Sequence, residues 1–345
     1  MSTVASDDRE IAAAARLLER GLLVALPTET VYGLGADAEN PAAIARIYTA
    51  KGRPSNHPLI VHLASAADLG HWVDAAPAVT QDLIDRFWPG PLTLILQRAA
   101  QIDAAVAGGQ DSIGVRCPAH PVAQALLREF KQGKGGIAAP SANRFGRISP
   151  TSAQHVHDEF PGEIGATRAI AAVLDGGQCA VGIESTILDL SRWSTQGAVL
   201  LRPGRIDPLQ LAEILGTMPA APDSAAPRVS GSLAAHYAPR TPVALIATAA
   251  LPTVLAQLAT AGRRVALLHW HPRTVAELTG VTACAIAPLA AAYAQALYAS
   301  LRRLDAAAAE LIVIEAVPDS ADWQAVNDRL RRAAFDSAGE LERLL

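Results

Sequence analysis

Short continuous apolar runs alternate along this chain with longer stretches whose apolar positions recur at helical spacing, the pattern of an α/β protein. Ser6, followed by Asp7, Asp8 and Glu10, predicts a helix start, because a small polar cap and first-turn acids satisfy the free amides there. Gly21 stops that helix. Leu22 to Leu26 reads as a buried strand that enters a loop, TETVYGLGAD, at Pro27. A second helix opens at Asn40 and Pro41 and closes near Ala50, ahead of Gly52 and Pro54. Strands are predicted at 59–63, 92–96, 113–116, 136–139, 169–174, 185–190 and 198–201, with helices at 79–87, 122–130 and near 151–159. Strands that follow one another without an intervening helix make this a mixed sheet rather than a strict βαβ alternation.

Between Thr217 and Thr241 the chain turns rich in Pro, Ala and Ser and loses both periods, the composition of a linker. Strands at 243–246, 264–269, 281–286 and 311–316 then alternate with helices at 253–261, 289–304 and 323–335, which predicts a smaller Rossmann-like α/β domain. The expected organisation is a first domain over 1–216, a linker over 217–241 and a second domain over 242–345.

Composition narrows the classes. With 29 Lys+Arg against 33 Asp+Glu the formal charge is −4, and only 4% of residues are aromatic, which argues against a surface devoted to nucleic acid. The three cysteines, Cys117, Cys179 and Cys284, are too far apart for a CxxC pair, which argues against a disulfide scaffold or structural zinc. MSTVASDDRE has no basic n-region and no apolar h-region, so the expected location is cytoplasmic. The uncharged stretches Thr241–Gly262 and Leu278–Leu301 are diluted by Ala, Thr, Ser and Gln and interrupted by Pro252 and Pro288, so each reads as soluble structure rather than a membrane span. Lysine occurs only at 51, 131 and 134, which gives a lysine in a loop motif weight.

There is no GxxxxGK[ST] loop, HExxH, GxSxG elbow or GxGxxG fingerprint. What stands out is cations and hydroxyls near the ends of several strands, where open α/β sheets place ligands. Lys51 and Arg53 flank a glycine in KGRPSNHPL; Arg116 ends SIGVR after Ser112; Ser141, Asn143, Arg144 and Arg147 follow a strand in AAPSANRFGRISP; Arg202 ends another in LLRPG. Singly each reads as a solvated surface charge, but jointly they suit a polyphosphate site built without a P-loop. PTETVYGLGAD adds the hydroxyls of Thr28 and Thr30, a carboxylate at Glu29 and a Gly33/Gly35 pair that permits close backbone approach to a small ligand. A tight turn with Glu29 as a surface charge is the alternative there, and His62, inside LIVHL, reads equally as a core histidine.

Seven motifs in order, PTETVYGLGADA, KGRPSNHPLIVH, WPGPLTL, SIGVRCPAHP, AAPSANRFGRISPT, ESTILDL and LLRPG, resemble the YrdC/Sua5 family in its long Sua5 form, over about residues 10–205, with the HYAP segment and second domain matching in architecture. The resemblance implies a YrdC-like twisted sheet with a basic concave cavity. It also implies an enzyme that joins L-threonine, bicarbonate or CO2 and ATP into threonylcarbamoyl-adenylate plus pyrophosphate, a nucleotidyltransferase. The product would pass to the tRNA threonylcarbamoyl-transfer machinery that modifies adenosine next to the anticodon, with weak tRNA binding as an allowed extra. By the same resemblance threonine would contact Thr30, His62, Arg116, the backbone at Ala139, and Ser185. ATP would contact Lys51, Arg53, His57, Ser112, Ser141, Asn143, Ser149, Arg202 and His236, with Lys51 and Arg53 in the catalytic role. Mg²⁺ would arrive with the phosphates and needs no dedicated carboxylates. Position 57 is His where the family often has Asn, the hairpin SRWSTQGA is longer, and SGSLAAHYAP stands where many members carry a PGMKYRHYAP-like segment. That linker suits a mobile lid over the nucleotide. The competing reading is a double-stranded RNA or tRNA-binding module that uses the same basic cavity.

Overall fold

In the computed structural model, residues 6–65, 68–231, 233–271 and 281–345 are described. Readings that involve residues 1–5, Ser232 of SGSLAAHYAP and the start of the Leu278–Leu301 stretch therefore lie outside the described residues. The chain divides into two compact units, Met1–Phe145 with Ser149–Ser232, and Gly146–Ile148 with Leu233–Leu345. Among the described residues no helix is long and apolar enough to cross a membrane.

In the first unit α1 (Asp8–Glu19) is capped by Asp7 rather than Ser6, with Glu10 reaching back to close a capping box. β1 (Leu23–Leu26) leads through the PTET turn into β2 (Gly33–Asp37), which the sequence places in a loop. The physical reason lies in the two glycines. A Cβ on Gly35 would stand 2.8 Å from the Leu26 side chain and 3.0 Å from the Val24 carbonyl, and one on Gly33 would stand 3.0 Å from the Ala139 Cβ. The missing side chains let neighbouring chain segments close up.

The remaining elements are α2 (Pro41–Lys51), β3 (Ile60–His62), α3 (Leu69–Trp72), α4 (Val79–Phe87), β4 (Leu92–Gln97), β5 (Ser112–Arg116), α5 (Pro121–Glu129), β6 (Ile137–Ala138), α6 (Ala153–Glu159), β7 (Ile170–Val173), β8 (Thr186–Asp189), α7 (Trp193–Gln196), β9 (Val199–Arg202) and α8 (Pro208–Leu215). The sequence reading omitted α8, although Asp207 caps it in a box with Gln210 and Pro208 fills its first turn. The sheet order is β7-β1-β2-β6-β3-β5-β4-β8-β9. It is mixed, as predicted: β3 runs parallel to β5 and β4 to β8, while β2, β6 and β9 pair antiparallel with their neighbours.

Register decides where chemistry is placed. Val61 pairs with Val115 and Ala138 and points into the larger core; His62 pairs with Arg116 and Ile137 and points to the opposite face. At the β1–β2–β6 end that opposite face is filled by Leu18 of α1, Leu126 and Leu127 of α5 and Phe130 just after it, against Val24, Leu26 and Ile137. Farther along, alternation puts Ile60 and His62 of β3, Ser112, Gly114 and Arg116 of β5, and Thr93 and Ile95 of β4 on that same face.

The second unit has β10 (Val243–Ile246), α9 (Leu251–Thr260), β11 (Val265–His269), β12 (Val281–Ala285), α10 (Ala290–Asp305), β13 (Leu311–Glu315), α11 (Gln324–Ala334) and α12 (Glu340–Leu344). Its strands are all parallel in the order β10-β13-β11-β12, the Rossmann-like arrangement predicted. One core layer joins Leu251, Leu255 and Leu258 of α9 to Ile246, Leu267 and Val313. Asp305 accepts the backbone N–H groups of Arg240 and Thr241, tying the end of the linker segment to this unit.

Candidate active site

Arg116 is 4% exposed. Its Nη2 donates to Glu29 Oε1 at 2.6 Å, Nη1 to Thr30 Oγ1 at 3.0 Å and Nε to the Gly90 carbonyl at 3.1 Å. Glu29 Oε2 also accepts from the Ala119 N–H at 3.0 Å, and the Glu29 carbonyl accepts from Val181 N at 2.7 Å. Thr28 fixes the turn by donating to the Val31 carbonyl, and its hydroxyl lies 2.8 Å from that of Thr30. Glu29 is thus a buried ion-pair partner and not the surface charge that a simple turn would present. Beside Arg116 in the sheet, burial, with the guanidinium adding to it, drives the His62 imidazole down to about 3, so the ring is neutral at physiological pH. Its Nδ1 has no hydrogen-bond partner.

Lys51 ends α2 and is 2% exposed. Its ammonium donates to the Ser141 carbonyl at 2.6 Å and to the Asn143 carbonyl. Burial, then the nearby Arg53 and Arg144 charges, hold this lysine well below its usual range, with Glu159 opposing. The Phe145 N–H donates to the Lys51 carbonyl and the Leu34 N–H to the Pro140 carbonyl, so the PSAN loop is pinned to the end of α2 and to β2. Three predicted residues, Lys51, Ser141 and Asn143, therefore meet. Ala139 lies just before this loop, its N–H donating to the Ile60 carbonyl.

Arg202 donates to the Ser185 carbonyl from Nε and Nη2, to Ser185 Oγ at 3.1 Å, and to the Ser230 carbonyl at 2.7 Å. Ser185 Oγ lies 2.8 Å from Thr93 Oγ1. Arg53 donates to the Pro58 carbonyl and faces Ser230 Oγ at 3.5 Å. Its guanidinium also sits over Phe145, whose ring meets His57 edge-on at 5.2 Å. Burial and the Arg53 and Arg228 charges lower His57. Ser112 lines a cleft with Pro58, Gly114, Arg228 and Ser230, and Val229 packs on Ile95 and Ile187. The segment Arg228–Ser230 thus lies across the face that carries Ser112 and Ile95.

Ser149 and His236 complete the predicted ATP contacts. Ser149 donates to Glu184 Oε1 at 2.6 Å and is fully buried. His236 belongs to the second unit, where its ring stacks edge-on to Tyr237 and its N–H donates to the Arg332 carbonyl. Glu29 was read as a carboxylate of the PTET loop but without its partner, and the buried carboxylate Glu184 was not read at all. Their signal was present, since each lies in a quoted motif next to a candidate, Thr30 and Ser185. His62 and Arg116 stand in strands, as the sequence reading places them, and with Ser112 they share one sheet face.

A mixed sheet with His62, Ser112 and Arg116 on one face and a buried lysine at the end of α2 against the PSAN loop, followed by a parallel-sheet unit, is a two-domain α/β protein of YrdC-like fold. The family model described as "Telomere recombination" matches residues 16–204, and that described as "Threonylcarbamoyl-AMP synthase, C-terminal domain" matches 206–335. The threonylcarbamoyl-AMP synthase of Bacillus subtilis is 37% identical over 339 residues, covering 96% of this chain and 94% of the relative. That of Pyrococcus abyssi is 35% identical over 343 residues, covering 95% of each. The crystal structure of P. abyssi Sua5 complexed with L-threonine superposes with a TM-score of 0.85 at 34% identity, over 95% of both chains. The chain belongs to the threonylcarbamoyl-AMP synthase family.

Proposed function

We propose that this enzyme condenses L-threonine, bicarbonate or CO2 and ATP into threonylcarbamoyl-AMP and pyrophosphate. The observation that carries this reading is that the first unit holds two different charged devices: an arginine with a hydroxyl and a carboxylate beside it, suited to an amino acid, and a Lys51–Arg53 cluster against the PSAN loop, suited to phosphates. Threonine is assigned to Thr30, His62, Arg116, the Ala139 backbone and Ser185. ATP is assigned to Lys51, Arg53, His57, Ser112, Ser141, Asn143, Ser149, Arg202 and His236. The amine of threonine attacks bicarbonate carbon and water leaves, giving a carbamate. The carbamate oxygen then attacks the α-phosphorus and pyrophosphate departs. Positioning and charge neutralisation are the protein's main contributions.

Mg²⁺ fits as a companion of the phosphates. A phosphate-bound Mg²⁺ keeps most of its shell as water and needs few protein ligands. Residues 1–216 carry the reaction, and the linker over 217–241 acts as a lid. Supporting this, Arg228, Val229 and Ser230 line the same cleft as Ser112 and Gly114. The product goes to tRNA threonylcarbamoyl transfer, which places the enzyme in the cytoplasm. Incubation with ¹⁴C-bicarbonate tests the reading: label should enter an acid-labile adenylate only when threonine and ATP are both present, and label incorporation independent of threonine would refute it. Truncation after residue 216 should alter the apparent ATP affinity or turnover; unchanged values would remove the lid.

A further inference from the structure

Burying a charge pair is a weak source of stability, because the desolvation of each ion is large and mutual attraction only offsets it. Glu29 and Arg116 are nevertheless 8% and 4% exposed and lie 2.6 Å apart. The pair caps no helix. It stands where the PTET turn, the WPGP turn and the end of β5 converge, through Thr30, Gly90 and Arg116 itself. Both partners keep capacity. An ionised carboxylate has about four acceptor positions and a guanidinium five N–H donors, whereas Glu29 accepts from Arg116 and Ala119 and Arg116 donates to Glu29, Thr30 and Gly90.

The charge balance of the pair then selects what can enter. A lone carboxylate would leave the buried site with one excess negative charge, and a lone ammonium with one excess positive charge. A zwitterion adds both and leaves the site neutral. We infer that Glu29 receives the α-ammonium group of the amino acid while Arg116 takes its carboxylate, so that the buried pair is matched to a zwitterion. Glu29 is then a substrate-binding residue that restricts the site to α-amino acids and excludes the corresponding hydroxy acids. The Thr28 and Thr30 hydroxyls, 2.8 Å apart on the same turn, add a polar surface beside the pair. This inference rests on the reading of L-threonine as a substrate.

The test compares binding of L-threonine and of 3-hydroxybutyrate, which keeps the carboxylate and the hydroxyl and lacks the amine, by calorimetry on the full-length chain. The unmodified enzyme should prefer threonine by on the order of tenfold to a hundredfold, the range of one charge-assisted hydrogen bond. Glu29→Gln should lose most of that preference by weakening threonine alone, with ATP binding unchanged. If Glu29→Gln weakens both ligands equally, Glu29 merely positions Arg116 and the inference is wrong; a preserved preference also overturns it. Should Glu29→Gln fail to fold, the unmodified enzyme still decides, since equal affinity for the two ligands contradicts a zwitterion match. Absence of any threonine binding to the unmodified enzyme would instead strike the functional reading itself.

Discussion

Lys51 and Arg116 are both buried cations of the first unit, yet their charges are held in opposite ways. Arg116 has a carboxylate against it at 2.6 Å, so its charge is balanced before any ligand arrives. Lys51 bonds two neutral backbone carbonyls and is pressed toward deprotonation by burial and by Arg53. That difference fits the proposed assignments: the balanced pair for threonine, a molecule of no net charge, and the lysine beside Arg53 for the ATP polyanion.

The sharpest way to break this comparison is through stability. Arg116→Ala strands Glu29 as a buried carboxylate and should cost about 3 to 5 kcal/mol in urea unfolding, most of it recovered in Arg116→Ala/Glu29→Gln. Lys51→Met strands no charge and should shift stability by only about 1 kcal/mol, because lost carbonyl bonds and relieved desolvation offset one another. Equal losses in the two variants would erase the distinction.

Activity should follow the other way. Lys51→Met and Arg53→Ala should each lower threonine-dependent pyrophosphate release about a hundredfold, roughly 3 kcal/mol of transition-state stabilisation. Normal release by Lys51→Met would remove the phosphate end of the account.

A smaller effect comes from His62. Its folded pKa of about 3 lies below the unfolded value of 6.5, so on acidification the unfolded chain takes up a proton that the folded one refuses. Stability is therefore lost as pH falls from about 6.5 toward 3. Between pH 7 and pH 5 this group should contribute a loss of about 2 kcal/mol, which His62→Gln should not show. Parallel stability curves for the two proteins would contradict a neutral, buried His62. The smallest change is expected far from either cation: Asp207→Ala removes the α8 cap at about 1 kcal/mol, with turnover unaltered, and reduced turnover would show that α8 is coupled to the site.

The same contrast explains what the chain sequence revealed. Cations could be read because Lys51, Arg53, Arg116 and Arg202 stand in glycine- and proline-rich motifs after apolar runs, and the parallel second sheet followed from its regular alternation. β2 was obscured because glycines at 33 and 35 signal a turn locally, while the close neighbours that need them are Leu26 of β1 and Ala139 just after β6. The partnership of Glu29 with Arg116 joins residues 87 positions apart, so the motif showed the carboxylate and only the register of β3, β5 and the PTET turn showed its use. α8 was legible in Asp207, Pro208 and Gln210, and was passed over beside the linker's loss of period.

In the proposed reaction one enzyme face serves an amino acid and a nucleotide together. Pyrophosphate release measured with threonine, bicarbonate and ATP each omitted in turn tests that most directly. Release should require all three together; release from ATP without threonine, or none with the complete set, would contradict it.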